Sequence, residues 1–169
     1  HHSLMSLYEN YPPENFFSSM NLIGSHDVPR ILTILGEGRP EEEMAHKQKL
    51  KERLTPEQRE LGIARLKMAI LWQMTFPGAP VVYYGDEAGV EGYRDPLNRR
   101  TYPWGSEDAD LLSWHRQLIG LRHRHDVLKT GDFRSFALGE AVYGYVRRIQ
   151  GGRDVFDRTK ADNVAVVLM

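Results

Sequence analysis

The residues best suited to chemistry lie in two polar clusters, and the first is the stretch Ser25–Arg30. Its adjacent His26 and Asp27 could hold a substrate hydroxyl, share in a metal site, or serve the fold alone, with the carboxylate capping a following helix. A Ser–His–Asp relay is disfavoured, because its members meet in space from separate segments, which three consecutive residues cannot do. On spacing alone, the structural interpretation is favoured.

The second cluster, residues 85–104, combines carboxylates, guanidinium groups and aromatic rings. This combination is typical of sugar recognition, because rings pack on the apolar face of a pyranose and charged groups bond its hydroxyls. A loop pinned by its own Asp–Arg ion pairs would have the same composition, so the residue types leave both interpretations open. The residues concerned are Asp86, Glu87, Asp95, Arg99, Arg100, Tyr102 and Trp104.

Each cluster begins where a short apolar run ends in glycine. The two runs cover residues 16–24 and 79–85, and their apolar, β-branched character predicts strands buried on both faces of a parallel sheet. Two strand–helix units in succession imply right-handed crossovers. Both clusters then lie just beyond the carboxyl ends of strands, which is where active sites occur in (β/α) barrels and doubly wound sheets.

Helical periodicity and start and stop signals predict three helices between these runs and around them. The clearest start is at Thr55, which reads as an N-cap followed by Pro56 at the first helical position. The interleaved charges of residues 36–60 indicate a solvated helical surface rather than a binding patch. The predicted helices cover residues 4–11, 55–76 and 108–125.

After Gly131 the pattern changes to alternating or β-branched segments separated by glycine-containing turns. Such segments predict a small antiparallel unit, with strands over 133–138, 142–149 and 164–169. At the other end, residues 1–3 resemble the remnant of an affinity tag and are excluded from the fold.

The charge balance and the lack of cysteine exclude several classes of protein. Among 169 residues, 22 Lys and Arg face 23 Asp and Glu, which argues against nucleic-acid binding, since phosphates require a basic excess. Without cysteine there is no disulfide scaffold, thiolate zinc site or thiol nucleophile. No apolar run approaches the ~20 residues of a membrane span. The histidines His46, His115, His123 and His125 are expected in surface-like helical contexts, which indicates no metal site. These features fit a cytoplasmic enzyme.

Three motifs, in this order along the chain, resemble the α-amylase family of glycoside hydrolases. Residues Met20–Thr33 resemble its seventh-strand motif, and their Gly-Ser-His-Asp form is similar to the neopullulanase and cyclomaltodextrinase branch. Residues Phe76–Glu87 are similar to the eighth strand, and Glu91–Trp104 to the loop that follows it. The resemblance implies an α/β fold, the C-terminal part of a (β/α)₈ TIM barrel with strands 7 and 8 and their helices, over residues 4–130. It also implies the beginning of an antiparallel β-sandwich domain over 131–169.

The resemblance further implies a retaining glycosidase, which needs a carboxylate nucleophile and a carboxylic acid ~5–5.5 Å apart. Asp27 corresponds to a third carboxylate, which stabilises the transition state, and His26 to a hydrogen-bond donor to the same sugar. Asp95 and Arg99 would bind the next glucose towards the non-reducing end.

Four further residues are expected to be structural or to form the rim of the site. Arg30 would hold the Asp27 loop. The other three are Tyr84, Glu87 and Trp104.

The nucleophile and the acid/base of the family are expected on strands that precede Leu4. We therefore expect this chain to be the C-terminal part of an enzyme that cleaves α-1,4 or α-1,6 links in maltodextrin, cyclodextrin or pullulan, and to be inactive by itself. The alternatives are a non-catalytic glucan-binding fragment, a 4-α-glucanotransferase of the same family, and an unrelated interaction protein. We expect an oligosaccharide ligand, no nucleic-acid or membrane partner, a homodimer, and no cofactor; calcium could occur elsewhere in the enzyme, with no recognised site here.

Overall fold

The computed structural model describes residues 2–38, 53–139 and 142–169. Most of the charged segment predicted over 36–60, including His46, therefore lies outside the described residues. The helices are α1 His2–Asn10, α2 Pro13–Ser18, α3 Ile31–Glu37, α4 Pro56–Thr75, α5 Ala109–Arg124 and α6 Asp126–Thr130, with a 3₁₀ turn at Leu97–Arg99. The strands are β1 Met20–Leu22, β2 Ala79–Val81, β3 Asp132–Leu138, β4 Val142–Ile149 and β5 Asn163–Leu168.

Helix α4 begins at the predicted cap. The Thr55 hydroxyl accepts a hydrogen bond from the Gln58 backbone N–H at 3.2 Å, and the Gln58 amide oxygen accepts one from the Thr55 N–H at 2.9 Å. This reciprocal arrangement satisfies two backbone donors that the first turn leaves without helical partners. Leu66, Ile70 and Met74, spaced by four residues, form its buried face. The prediction of this helix is confirmed.

The two predicted strands are shorter than their apolar runs. In the first run, Phe16–Ser18 belongs to α2, because Pro13 fixes a helical φ at the start of that helix. Only Met20–Leu22 is extended, and Met20 and Leu22 are exposed. The prediction of a strand buried on both faces is therefore wrong within the described residues, where β1 has β2 as its neighbour in a two-stranded sheet.

The second run leaves the extended conformation after Val81. The Asp86 N–H donates to the Tyr83 carbonyl and the Ala88 N–H to the Gly85 carbonyl, so the chain turns back on itself. Gly85 has φ +87°, which glycine adopts without steric cost. The strand therefore ends earlier than β-propensity alone predicted.

Helix α5 covers the predicted segment, and Asp108 caps it by accepting a hydrogen bond from the Leu111 N–H at 3.0 Å. One of its histidines corrects the prediction that all four lie in surface-like contexts. His115 is buried, and its Nδ1 lies 2.9 Å from the Leu111 carbonyl oxygen. Burial lowers the pKa of His115, which favours the neutral ring.

The tail forms the predicted antiparallel strands, in the order β3-β4-β5. Pairing runs from Asp132 opposite Arg148 to Leu138 opposite Val142, and β4 pairs with β5 from Gly144 opposite Leu168. Arg147 is fully buried, and its guanidinium donates to carbonyl oxygens of α4, α6 and the start of β3. A cluster of rings completes this core, namely Phe16, Phe76, Phe133 and Tyr145.

The described residues belong to two compact units. The first unit comprises residues 1–21, 74–80 and 119–169, and contains the ring cluster and the antiparallel sheet. The second unit comprises residues 22–73 and 81–118, and contains both polar clusters. The division into 4–130 and 131–169 stays a prediction. No helix in the described ranges is both long and apolar enough to cross a membrane.

Candidate active site

Two segments of the second unit meet beside the first polar cluster. The Arg30 backbone N–H donates to the Gly92 carbonyl at 2.8 Å, and the Gly92 N–H donates to the Thr33 hydroxyl at 2.9 Å. A Cβ atom at Gly92 would lie 2.1 Å from the Leu97 carbonyl oxygen, so a larger residue could not keep this approach. The segment that follows β1 and the loop that follows β2 are thus joined by one backbone–backbone hydrogen bond and by one to the Thr33 side chain.

The Arg30 side chain links the first motif to the second. Its guanidinium is fully buried, lies 3.1 Å from a carboxylate oxygen of Asp86 and donates to the Tyr84 carbonyl. It also lies 4.1 Å from the ring centroid of Tyr83 and 4.6 Å from that of Tyr84, a cation–π arrangement. Arg30 was expected to hold the Asp27 loop; its side chain anchors that segment to residues 83–86.

Asp86 is a buried carboxylate behind the first cluster, and its position requires Gly24. A Cβ atom at Gly24 would lie 2.2 Å from an Asp86 carboxylate oxygen. Burial, with a smaller contribution from Glu87, raises the pKa of Asp86 to about 6, although Arg30 acts in the opposite direction. Burial has the larger effect because desolvation penalises the charged form.

We expect the Asp86→Asn substitution to change the pH dependence of stability. A carboxyl whose pKa is raised from 3.8 to about 6 on folding contributes stability below pH ~4 and loses it as the pH rises through 6. Between pH 4 and 7 the unfolding free energy of the unsubstituted chain should therefore fall by about 3 kcal/mol relative to the variant. Urea unfolding of both proteins at four pH values measures this difference, and a difference that is constant with pH would contradict the raised pKa.

His26 and Asp27 form an exposed pair close in sequence to the buried Arg30, which pairs with Asp86. The His26 Nε2 atom lies 3.2 Å from an Asp27 carboxylate oxygen, and 61% and 72% of their side chains are accessible. The Asp27 backbone N–H donates to the Ser25 hydroxyl at 3.2 Å, which forms a local ST turn. The two side chains are therefore open to a ligand rather than used within the fold.

Asp95 and Arg99 form a second exposed pair, with the Arg99 Nε atom 3.7 Å from an Asp95 carboxylate oxygen. Nearby on the chain, Trp104 is 83% exposed, and its ring centroid lies 4.5 Å from that of Tyr102. The loop therefore presents a charged pair and an aromatic surface to solvent, as the sugar-recognition hypothesis requires.

Two further predicted residues, Tyr84 and Glu87, also lie in the second unit. The Tyr84 hydroxyl donates to the Arg100 carbonyl at 2.9 Å, which gives this tyrosine a structural role. Glu87 is half-buried, and one of its carboxylate oxygens is buried without a hydrogen bond from the described residues. The assignment of Asp27, His26, Asp95 and Arg99 to sugar binding stays a prediction.

Sequence reasoning missed Asn98, which is fully buried in the same loop. Its amide nitrogen donates to the carbonyl oxygens of His26 at 2.8 Å and Val28 at 3.0 Å. An asparagine between Leu97 and Arg99 carries no spacing signal, so the sequence offered nothing beyond its place beside Arg99. In the described parts of the chain, no three His, Asp or Glu side chains converge as a metal site would require.

The profile described as "Alpha amylase, catalytic domain" matches residues 2–125. The chain belongs to the α-amylase family. The resemblance carried by the three motifs is therefore confirmed. Over 166 residues the chain is 45% identical to an amylopullulanase of Thermoanaerobacter thermohydrosulfuricus, a match that covers 98% of this chain and 11% of that protein.

Two further relatives agree with the predicted branch and fold. The chain is 32% identical over 144 residues to neopullulanase 2 of Thermoactinomyces vulgaris, covering 83% of this chain and 20% of that protein. The solved debranching enzyme of Nostoc punctiforme superposes with a TM-score of 0.68 at 30% identity, over 88% of this chain and 26% of that one. The chain thus has an α/β fold of this family, and spans between about a tenth and a quarter of the length of these relatives.

Proposed function

We propose that this chain forms part of the active site of a retaining α-glucan hydrolase. The observation that carries the proposal is the exposed His26–Asp27 pair, which a chain of the α-amylase family holds above a buried Arg30–Asp86 ion pair. In the arrangement we propose, Asp27 stabilises the transition state. The carboxylate nucleophile and the acid/base come from residues outside these 169.

The proposed architecture follows the resemblance. Residues 4–130 supply the seventh and eighth strands of a (β/α)₈ barrel with their helices, and 131–169 begin a β-sandwich. Two observations support this division: the family match ends at residue 125, and the antiparallel strands begin at Asp132. Active sites of such barrels lie beyond the carboxyl ends of the strands, and Asp27 follows β1 there.

The chemistry follows from charge. Cleavage of a glycosidic bond develops positive charge on the sugar ring, in an oxocarbenium-like transition state. A carboxylate that is already in place stabilises that charge, and its bonds to sugar hydroxyls are charge-assisted. Asp27 has this role in the proposal, and His26 donates a hydrogen bond to the same sugar. Asp95 and Arg99 bind the adjacent glucose, which orients the scissile bond.

We propose α-1,4 and α-1,6 links of maltodextrin, cyclodextrin or pullulan as the substrate class. The names of the relatives, amylopullulanase and neopullulanase, support it. A 4-α-glucanotransferase would use the same covalent intermediate, and differs only in whether water or a sugar hydroxyl attacks it. Product analysis separates the two, because a transferase yields longer oligosaccharides without net release of reducing ends.

The test compares the 169-residue chain with the full-length protein, meaning the product of the complete reading frame that contains this chain. We expect the full-length protein to release reducing sugar from pullulan or cyclodextrin, and the chain alone to release none. Reducing-end assays measure both. Activity of the isolated chain would contradict the proposed division of the catalytic groups, and a folded, inactive full-length protein would contradict the hydrolase itself.

A further inference from the structure

We infer that Asn98 is a positioning residue that fixes the backbone on both sides of Asp27. This inference rests on the proposed function, because it takes Asp27 to be the carboxylate that acts on the sugar. Asn98 itself is buried and does not contact the ligand in this scheme. It acts through the backbone of residues 26–28.

We call the two hydrogen bonds from the Asn98 amide to the His26 and Val28 carbonyl oxygens the clamp. One amide nitrogen carries two hydrogens, and Asn98 uses its nitrogen to bind the carbonyl oxygen before Asp27, on His26, and the one after it, on Val28. Both distances, 2.8 and 3.0 Å, are those of good hydrogen bonds. The peptide unit that precedes Asp27 and the one that follows Val28 are therefore held by one side chain 70 or more positions away.

The Asp27 side chain has little else to hold it. It is 72% exposed, and its carboxylate faces His26, which is 61% exposed; the Asp27 backbone N–H bonds to the nearby Ser25 hydroxyl. Its position is therefore set mainly by the backbone. A reacting group must be held to within about 0.5 Å of its productive position, so loss of the clamp should affect the reaction more than it affects binding.

Asn98 also connects the two exposed pairs. It lies in the 3₁₀ turn between Asp95 and Arg99, where the Arg99 N–H donates to the Pro96 carbonyl at 3.2 Å. The Tyr83 hydroxyl donates to the Asn98 carbonyl at 3.5 Å, from the segment that Arg30 holds. The group that contacts the adjacent glucose and the group that acts on the reacting sugar are thus joined through this one residue.

Two substitutions distinguish the effect of the Asn98 amide N–H donors from the effect of its side-chain volume. Asn98→Ala removes the amide, and Asn98→Asp keeps the shape but replaces the two N–H donors by a carboxylate facing two carbonyl oxygens. Asn10→Ala is the matched control, because it also removes an amide hydrogen bond, at 3.1 Å to the Ser6 hydroxyl, on an exposed helix.

The first measurement is backbone ¹⁵N relaxation of the 169-residue chain. In the unsubstituted chain and the Asn10→Ala control we expect order parameters near ~0.85 at His26 to Val28, and values below ~0.6 in both Asn98 variants. Order parameters that do not change in either Asn98 variant would overturn the clamp. This measurement needs no activity, so it does not depend on the proposed function.

The second measurement is the steady-state kinetics of the full-length protein on maltooligosaccharides. Asn98→Ala should lower kcat by ~10–100-fold with KM within twofold, whereas Arg99→Ala should mainly raise KM. A purely structural role of Asn98 would lower the amount of folded enzyme and leave kcat per folded molecule unchanged, which would overturn the inference. If the unsubstituted full-length protein cleaves no glucan, the proposed function fails and the positioning role falls with it, while the relaxation data still decide whether the clamp exists.

Discussion

The Asp27→Asn substitution is expected to lower kcat of the full-length protein on pullulan or cyclodextrin by about 10³-fold, with a much smaller change in KM. The loss of a single preorganised charge-stabilising group costs ~10²–10³ in kcat in other enzymes. In the role proposed for Asp27, an amide of the same size would replace a full negative charge beside a developing positive charge. Steady-state kinetics on both proteins measures the effect.

The fold should tolerate this substitution, because the Asp27 side chain is 72% exposed and its partner His26 is 61% exposed. Changes at such positions usually alter stability by less than ~0.5 kcal/mol. Asp110→Asn is the matched control, an aspartate of the second unit that is 92% exposed and lies 3.6 Å from Lys67 Nζ. A variant of Asp27 that retains activity within tenfold of the control would contradict its assignment as the transition-state carboxylate.

Arg147→Met is expected to lower the unfolding free energy of the chain by about 3 kcal/mol. The guanidinium donates at 2.7, 2.8 and 3.0 Å to the carbonyls of Thr75, Leu128 and Gly131, and its Nε atom donates to Asp132. Hydrogen bonds from a charged donor contribute ~1.5–3 kcal/mol each, and a buried acceptor left without a donor costs ~1–3 kcal/mol. Removing the desolvation cost of the buried charge offsets part of this loss.

Urea unfolding followed by circular dichroism measures the unfolding free energy of Arg147→Met. Two further variants serve as comparisons. Arg148→Met, one position along β4, removes a half-exposed ion pair with Asp132 at 2.9 Å, and should cost less than ~1 kcal/mol. Arg147→Lys should fall between them, because a single ammonium cannot reach all four carbonyls in a planar arrangement. Equal losses at positions 147 and 148 would show that the buried guanidinium does not stabilise the fold.

Burial lowers the pKa of Arg147 to about 9, so these experiments belong at pH 7, where the group is still charged.

The helices and the antiparallel tail could be predicted because their signals are local. The cap at Thr55 involves Gln58, three residues away, and the α4 face depends on a spacing of four. The β3–β4 hairpin pairs residues that are close along the chain, from Leu138 and Val142 outward. The cap and the helix face use atoms within four positions of one another, and the hairpin starts from a pair four positions apart, so the residue pattern already contains them.

The short strands and buried His115 show where local patterns mislead. The apolar run of residues 16–24 has the composition of a strand, but Pro12 and Pro13 set a helical turn first. His115 occupies a helical position that periodicity could assign to either face. Only packing decides that it is buried, and burial then makes the neutral ring the favoured form.

By itself, the sequence determined the family, because three ordered motifs carry it, and the same motifs contain the residues we propose for sugar binding. The tertiary structure decided how those residues are held. Arg30 meets Asp86 across 56 positions, and Asn98 meets His26 across 72. These contacts depend on which buried polar groups are brought together by folding, and a buried donor or acceptor must find a partner wherever the fold offers one. No pattern of neighbouring residues contains that information.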